Sequence, residues 1–408
     1  MRRVPGTLVL GMAAMGCGMG LAAPARYEIT VTARDYAVGQ APVLAELGRP
    51  AMMPRGASLR APDGTRVPCQ LVTDGEATQL VFVVRDLAPG ESRTYALLLR
   101  DAPTPPLGPC VTVRERDGDA EVCVEGEFFT RYVTHGGPKP YLYPIIGPTG
   151  KPVTRDYPMK EDTPGEDHDH VHHRSLWFTH DQVNGVNFWA EGEQAGRTVH
   201  RAFESLESGP VMGRVVATTD WIGPDGRKIC EDRRDMRIYA TAGARVLDFD
   251  ITWRASEGPL HLGDTKEGVF GVRVAETMKV DRGQGHIVMS TGYRDGEAWG
   301  KAAEWCDYSG PVDGQTVGIA ILDHPGNPGH PTHWHVRTYG LFCANIFGLS
   351  YFEPGSGKDG SLDLKPGEAL RFRYRVLIHP GGAEEAGLSD AYAVYATPPE
   401  VTVRPMER

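Results

Sequence analysis

Cysteine is scarce in this 408-residue chain: there are seven, and none are spaced Cys-x-x-Cys. That excludes a disulfide-stapled scaffold and a zinc knuckle. Long apolar runs are missing too. After the N-terminus no stretch reaches the roughly 18 consecutive apolar residues of a membrane span. Positive charge is in the minority, with 43 Lys and Arg against 53 Asp and Glu, a net charge of −10 and no basic cluster. This argues against a nucleic-acid partner. Convincing helical periodicity is absent between residues 110 and 382, as are fixed-period repeats and low-complexity tracts.

Turn formers are plentiful. Glycine (50) and proline (32) make up about a fifth of the chain, against about 12% in an average protein. Between the turns lie short alternating or apolar runs. The expected fold class is therefore all-β, a small N-terminal β-domain followed by a large antiparallel β-sandwich. The beginning reads as a signal peptide over 1–23. Arg2 and Arg3 precede an apolar core at 8–14, and Leu21-Ala22-Ala23 offers a small-residue cleavage site. A second reading places a lipid anchor on Cys17. Both lead to an exported protein, periplasmic or secreted, without a membrane span.

The small domain is expected over 26–100, where Tyr27-Glu-Ile-Thr-Val-Thr alternates with period two and Pro62-Asp63-Gly64 and Pro89-Gly90 mark turns. A proline-rich linker covers 101–109. The large domain follows over 110–382. Its strand candidates are 127–133, 211–218, 236–240, 246–253, 268–274, 317–322, 339–346 and 369–378. A C-terminal helix and tail close the chain over 383–408, the helix at 383–395. Of the six cysteines after the leader, Cys110 and Cys123 lie closest in sequence; one bridge or buried free thiols are both open.

Nine of the fourteen histidines fall in two short stretches. The first is His168-Asp-His170-Val-His172-His173-Arg174, followed by His180. The second runs from Asp323-His324 through His330 to His333-Trp-His335-Val-Arg337. Imidazole titrates near neutrality and is a common metal ligand, so a fold that joins the stretches would build a site for acid–base chemistry. If the first stretch is a strand, His168, His170 and His172 share a face. Three prolines make the second a rigid loop leaving a strand end, in which Asp323 can orient His324. His333 and His335 share a face if 332–339 is extended.

Between glycines, Asp264-Thr-Lys266-Glu267 offers an acid, a base and a cation. All seven tryptophans lie after residue 110; Trp177, Trp189 and Trp334 stand nearest the histidines and are the expected stacking surfaces for a sugar ring.

The wording of these segments resembles the PmoA-like family, a domain of uncharacterised function catalogued as DUF6807. The matching pieces include Arg155-Asp-Tyr-Pro, His172-His-Arg-Ser-Leu-Trp-Phe, Val183-Asn-Gly-Val-Asn-Phe-Trp and Gly263-Asp-Thr-Lys-Glu-Gly. Trp299-Gly, Asp323-His-Pro-Gly-Asn-Pro, Trp334-His-Val-Arg-Thr-Tyr-Gly-Leu-Phe and Phe372-Arg-Tyr-Arg continue the match. It covers most of 125–382. Val171 stands where proline is typical. The family label implies a methane oxygenase, but a membrane monooxygenase subunit would carry several transmembrane helices, and this sequence has none after its leader. The resemblance implies a fold similar to the galactose-mutarotase supersandwich.

These readings lead to one expectation, a carbohydrate-active protein: a glycoside hydrolase, lyase or epimerase. The catalytic candidates are His172, His173, Asp264, Glu267, His324 and His335. Substrate binding falls to Arg174, Trp177, Trp189, Lys266, Trp334 and Arg337. The partner is a small sugar or oligosaccharide, with no cofactor and no metal. The alternatives are a non-catalytic carbohydrate-binding protein and a metal enzyme using His170, His172 and His335.

Overall fold

The computed structural model describes residues 25–48, 54–74, 77–105, 107 and 110–406. The leader and Cys17 lie outside the described residues. Every strand pairing within them is antiparallel, and no helix is long and apolar enough to cross a membrane.

The large unit is a sandwich of two eight-stranded sheets. The first runs in the order His333–Val336, Leu341–Asn345, Gly268–Arg273, Leu176–His180, Tyr141–Ile145, Glu127–Val133, Asp119–Val124, Val111–Arg116. The second runs Arg197–Glu207, Met212–Ile222, Lys228–Tyr239, Arg245–Arg254, Ala369–Pro380, Gln315–Asp323, Trp305–Val312, His286–Met289. Period-two alternation builds the core between them. From the second sheet Phe249, Ile251 and Trp253, with Phe372, Tyr374 and Val376, point inward; from the first come Phe178, Phe270, Val272 and Trp334. Trp221 and Trp253 stack at 4.5 Å in the centre. Beside them Arg234 is buried on Asp232, whose carboxylate also accepts from the Trp221 indole at 2.7 Å. This pairing makes two buried charges tolerable there.

The small unit is a second sandwich, with a five-stranded and a three-stranded sheet closed over Ile29, Val31, Phe82, Tyr95 and Leu97. Its five-stranded sheet contains a strand that the sequence reading had as a tail: Glu400–Pro405 pairs with Arg26–Thr32. The helix before it spans Leu388–Ala396, later than expected, because Gly387 takes a left-handed conformation (φ 61°) at its start. Leu388, Tyr392 and Tyr395 pack on the large sandwich, while Val394 reaches the small core. All six described cysteines are free thiols, Cys110 and Cys123 included.

Candidate functional site

Register across the first sheet places one residue from each of five strands in a row: Tyr141, Trp177, Gly271, Cys343 and His335. Their neighbours Leu142, Leu176, Val272 and Phe342 face the core, so the row lies on the outer face. Gly271 is required there, since a Cβ would meet the Trp177 indole at 3.0 Å and the Cys343 thiol at 2.8 Å. The first histidine stretch crosses this face as a loop rather than a strand. His170 sits in the left-handed region (φ 44°), an uncommon conformation for a side-chain-bearing residue.

The rings form a ladder. Trp177 stacks on His173 at 5.4 Å, His173 on His170 at 4.8 Å, and His170 on Tyr339 at 5.0 Å, all within 17° of parallel. Tyr339 belongs to the second stretch's continuation, so the two stretches meet here. Arg337 lies over both Tyr339 and Trp299, and His335 occupies the end of the strand row.

Fully buried Arg155 and Arg273 organise the ladder. Both donate to Asp169 Oδ1, Arg273 at 2.7 Å. Arg273 also donates to His173 Nδ1 at 3.1 Å. A guanidinium can only donate, so Nδ1 of His173 is the acceptor and the ring is neutral. The other Asp169 oxygen faces His170 Nδ1 at 2.8 Å. This is a carboxylate-oriented imidazole, and its Nε2 has no hydrogen-bond partner among the described residues. Burial works against the Asp169 charge, but Arg273, the His170 bond and Arg155 hold its carboxyl well below the usual carboxylate range.

The neighbouring histidines are kept neutral. Burial, then Lys139 and His170, push His172 down to about 4. Burial, then Lys266 and Arg337, push His335 to about 3. Burial dominates for His173, with His172 and Arg273 adding to it. His335 donates from Nδ1 to the Lys266 carbonyl at 2.7 Å, leaving Nε2 as the free base nitrogen. Glu267 stands 3.9 Å from His335 and is ion-paired with Lys266.

Several expected residues have other tasks. Arg174 is locked in a bidentate pair with Glu191 at 2.8 and 2.7 Å; it supports the site and is not open to a substrate carboxylate. Asp264 turns away from Lys266 and Glu267 and accepts from Ser350 and the Gly360 amide. Trp334 points into the core with its indole nitrogen on Ala303 O, because alternation puts it opposite His333 and His335. Trp177 and Trp189 are 1% and 4% exposed; they lie beneath the histidines instead of offering a ring face. His324 sits at the end of a second-sheet strand against Tyr395 of the helix, outside this site. Asp323 orients His330 at 2.7 Å rather than His324, and also takes Asn327 and the Thr332 amide. The proline-rich loop is thus a structural clasp. Among the described residues no three His, Cys, Asp or Glu side chains gather in a metal-holding group, so His170, His172 and His335 do not assemble one.

Sequence reasoning passed over Lys139, which is buried and donates to the carbonyls of His172 and Trp189 and to Glu191. Burial, opposed by Glu191, lowers its ammonium to about 8. It also missed His170 as a base, although Asp169-His170 carries the same adjacency that drew attention to Asp323-His324. The indoles add one more contrast. Core residues Trp221, Trp253 and Trp334 all have protein acceptors. The buried Nε1 atoms of Trp177, Trp189 and Trp299, around the histidine face, have none.

The chain belongs to the DUF6807 family, described as a family of unknown function, whose model matches residues 119–393. No curated protein matches it. Among solved structures, an α-mannosidase from Enterococcus faecalis V583 aligns over 94% of this chain and 46% of its own, with TM-score 0.42 and 13% identity. A glycosyl hydrolase family 38 protein from Enterococcus faecalis aligns over 94% and 48%, with TM-score 0.42 and 12% identity. This chain spans just under half the length of either, and likeness at that level bears on neither fold nor chemistry.

Proposed function

For this member of the DUF6807 family we propose exported acid–base catalysis on a sugar acid, by proton abstraction beside a carboxylate, as in an epimerase or lyase. The observation that carries it is the Asp169–His170 pair, with a free Nε2, beside a guanidinium, Arg337, that has no carboxylate partner among the described residues. His170 Nε2 takes the proton from the carbon next to the substrate carboxylate. The electron pair moves onto that carboxylate, where Arg337 stabilises the developing charge. A proton delivered from water on the other face inverts the centre, with the proton on His170 lost to solvent; alternatively the neighbouring oxygen substituent departs as an alcohol, taking the proton from His170, and leaves an unsaturated sugar. Half-buried Tyr339 and Trp299 supply ring surface, in place of the expected Trp177, Trp189 and Trp334.

A two-carboxylate glycosidase mechanism fits less well. It needs one carboxyl held protonated, whereas Arg273 and Arg155 keep Asp169 ionised, and Arg174 and Lys139 lower Glu191 despite its burial. The test is incubation with uronic acids and uronate oligosaccharides in D2O, read by NMR for exchange at the carbon beside the carboxylate and for unsaturated product. Exchange that His170→Ala abolishes is the expected result. Saturable sugar binding without exchange or elimination, in the wild type, would make this a carbohydrate-binding protein instead.

A further inference from the structure

Away from the histidine face, a cavity of about 370 Å³ lies where the small sandwich meets the large one. Arg66, Arg85, Arg93 and Tyr95 line it from the small unit, and Pro210, Val211 and Ala240 close it from the large one. Its volume falls within the roughly 300–1,000 Å³ typical of small-molecule sites, which favour domain junctions. No acidic residue is among those lining it, in a chain of net charge −10. Arg93 is fixed, donating to the carbonyls of Arg85 and Asp86 and pairing with Glu91 at 3.0 Å. Arg66 and Arg85 have no carboxylate partner among the described residues. Val67, Pro68, Val83 and Val211 supply an apolar wall.

We propose that this junction is a second binding site, for a small organic carboxylate with an apolar ring. Two guanidiniums left without counter-charge beside an apolar wall match a ligand that is anionic at one end and apolar at the other. A bound ligand touches both units at once, so it ties the small sandwich to the large one and raises the stability of the whole chain by binding only the folded form.

Benzoate serves as the probe and benzamide as its uncharged counterpart, by calorimetry on the full chain. We expect saturable benzoate binding that weakens with added salt and falls at least tenfold in Arg66→Ala/Arg85→Ala. Both arginines are exposed, so the variant keeps its circular dichroism spectrum and melting behaviour without ligand. Arg337→Ala, on the histidine face, keeps the benzoate binding that the double variant loses, whatever weaker carboxylate binding Arg337 itself contributes. No saturable benzoate binding, equal binding of benzamide, or loss in Arg337→Ala with retention in the double variant would each overturn the site. None of these outcomes depends on activity at His170.

Discussion

Both eight-stranded sheets turn a polar face away from the shared core, and the two faces treat their charges in opposite ways. On the second sheet, charges answer each other across adjacent strands. Arg375 grips Asp248 at 2.6 and 2.8 Å, Arg371 pairs with Asp250, and Arg214 and Arg237 both reach Asp235. On the first sheet, buried Arg155, Arg273 and Lys139 hold carboxylates and carbonyls in place, while exposed His170 keeps a free ring nitrogen and exposed Arg337 has no carboxylate partner among the described residues. Polarity alone does not mark a site. What distinguishes the first face is a support of buried, ion-paired side chains beneath groups whose hydrogen-bonding capacity remains open, which is the arrangement a preorganised site requires.

The sharpest test of this contrast is His170→Ala. Removing an oriented base should lower turnover about 10²–10⁴-fold, with a far smaller change in the urea midpoint, because the His170 side chain is 39% exposed and its one side-chain hydrogen bond is to partly exposed Asp169. A large loss of stability with intact turnover would place His170 in the support instead.

Removing a support arginine should do the opposite. Arg273→Ala leaves His173 without its donor and Asp169 with Arg155 and His170 as its remaining partners. Arg273 is fully buried while the Asp169 side chain is 36% exposed, so we expect a loss of about 2–3 kcal/mol, at or below the low end for breaking a fully buried pair, read by urea unfolding at neutral pH. A change under about 1 kcal/mol would show that Arg273 is not holding the ladder.

The neutral histidines predict a pH effect of intermediate size. In the fold, His172 and His335 are pushed down from 6.5 to about 4 and about 3. Between 6.5 and those values the unfolded chain binds more protons, so stability falls as pH falls through that window. His330, raised chiefly by its bond to Asp323, opposes the trend: it gains stability as pH falls through its raised folded value, and keeps it below 6.5. Urea midpoints measured from pH 7 to pH 4 should therefore decline, and His335→Asn should flatten the decline. A flat profile in the wild type would contradict the buried, uncharged state of these rings.

The smallest effect is expected on the paired face. Arg371→Ala removes a partner of Asp250, but the Arg371 side chain is 60% exposed, so solvent screening limits the change to under about 1 kcal/mol. Thermal melts of this variant should overlay those of the wild type within a few degrees, and turnover should be unaffected.

Most strands were legible in the sequence. Glu127–Val133 was located to the residue, and 246–253, 268–274 and 369–378 fall within a residue or two of the observed Arg245–Arg254, Gly268–Arg273 and Ala369–Pro380. Alternation and turn residues are local signals, and a strand with one face in a core must display them. The same alternation also explains the misplacement of Trp334, since it decides which face a residue joins but cannot say which face is the core. Composition drew attention to both histidine stretches, yet it could not separate His330, bound to a structural carboxylate, from His170, which leaves a nitrogen free.

Sequence by itself determined the class of fold, the turn-rich order of strands and the neighbourhood of the site. Tertiary structure alone decided which polar groups are engaged. Arg174 meets Glu191 seventeen residues away, Arg273 reaches Asp169 across 104, and the last strand, Glu400–Pro405, completes a sheet begun at Arg26. The reason is physical. A strand's period depends on its neighbours in sequence, whereas a side chain's protonation and availability depend on burial and on partners that only folding brings within hydrogen-bond distance.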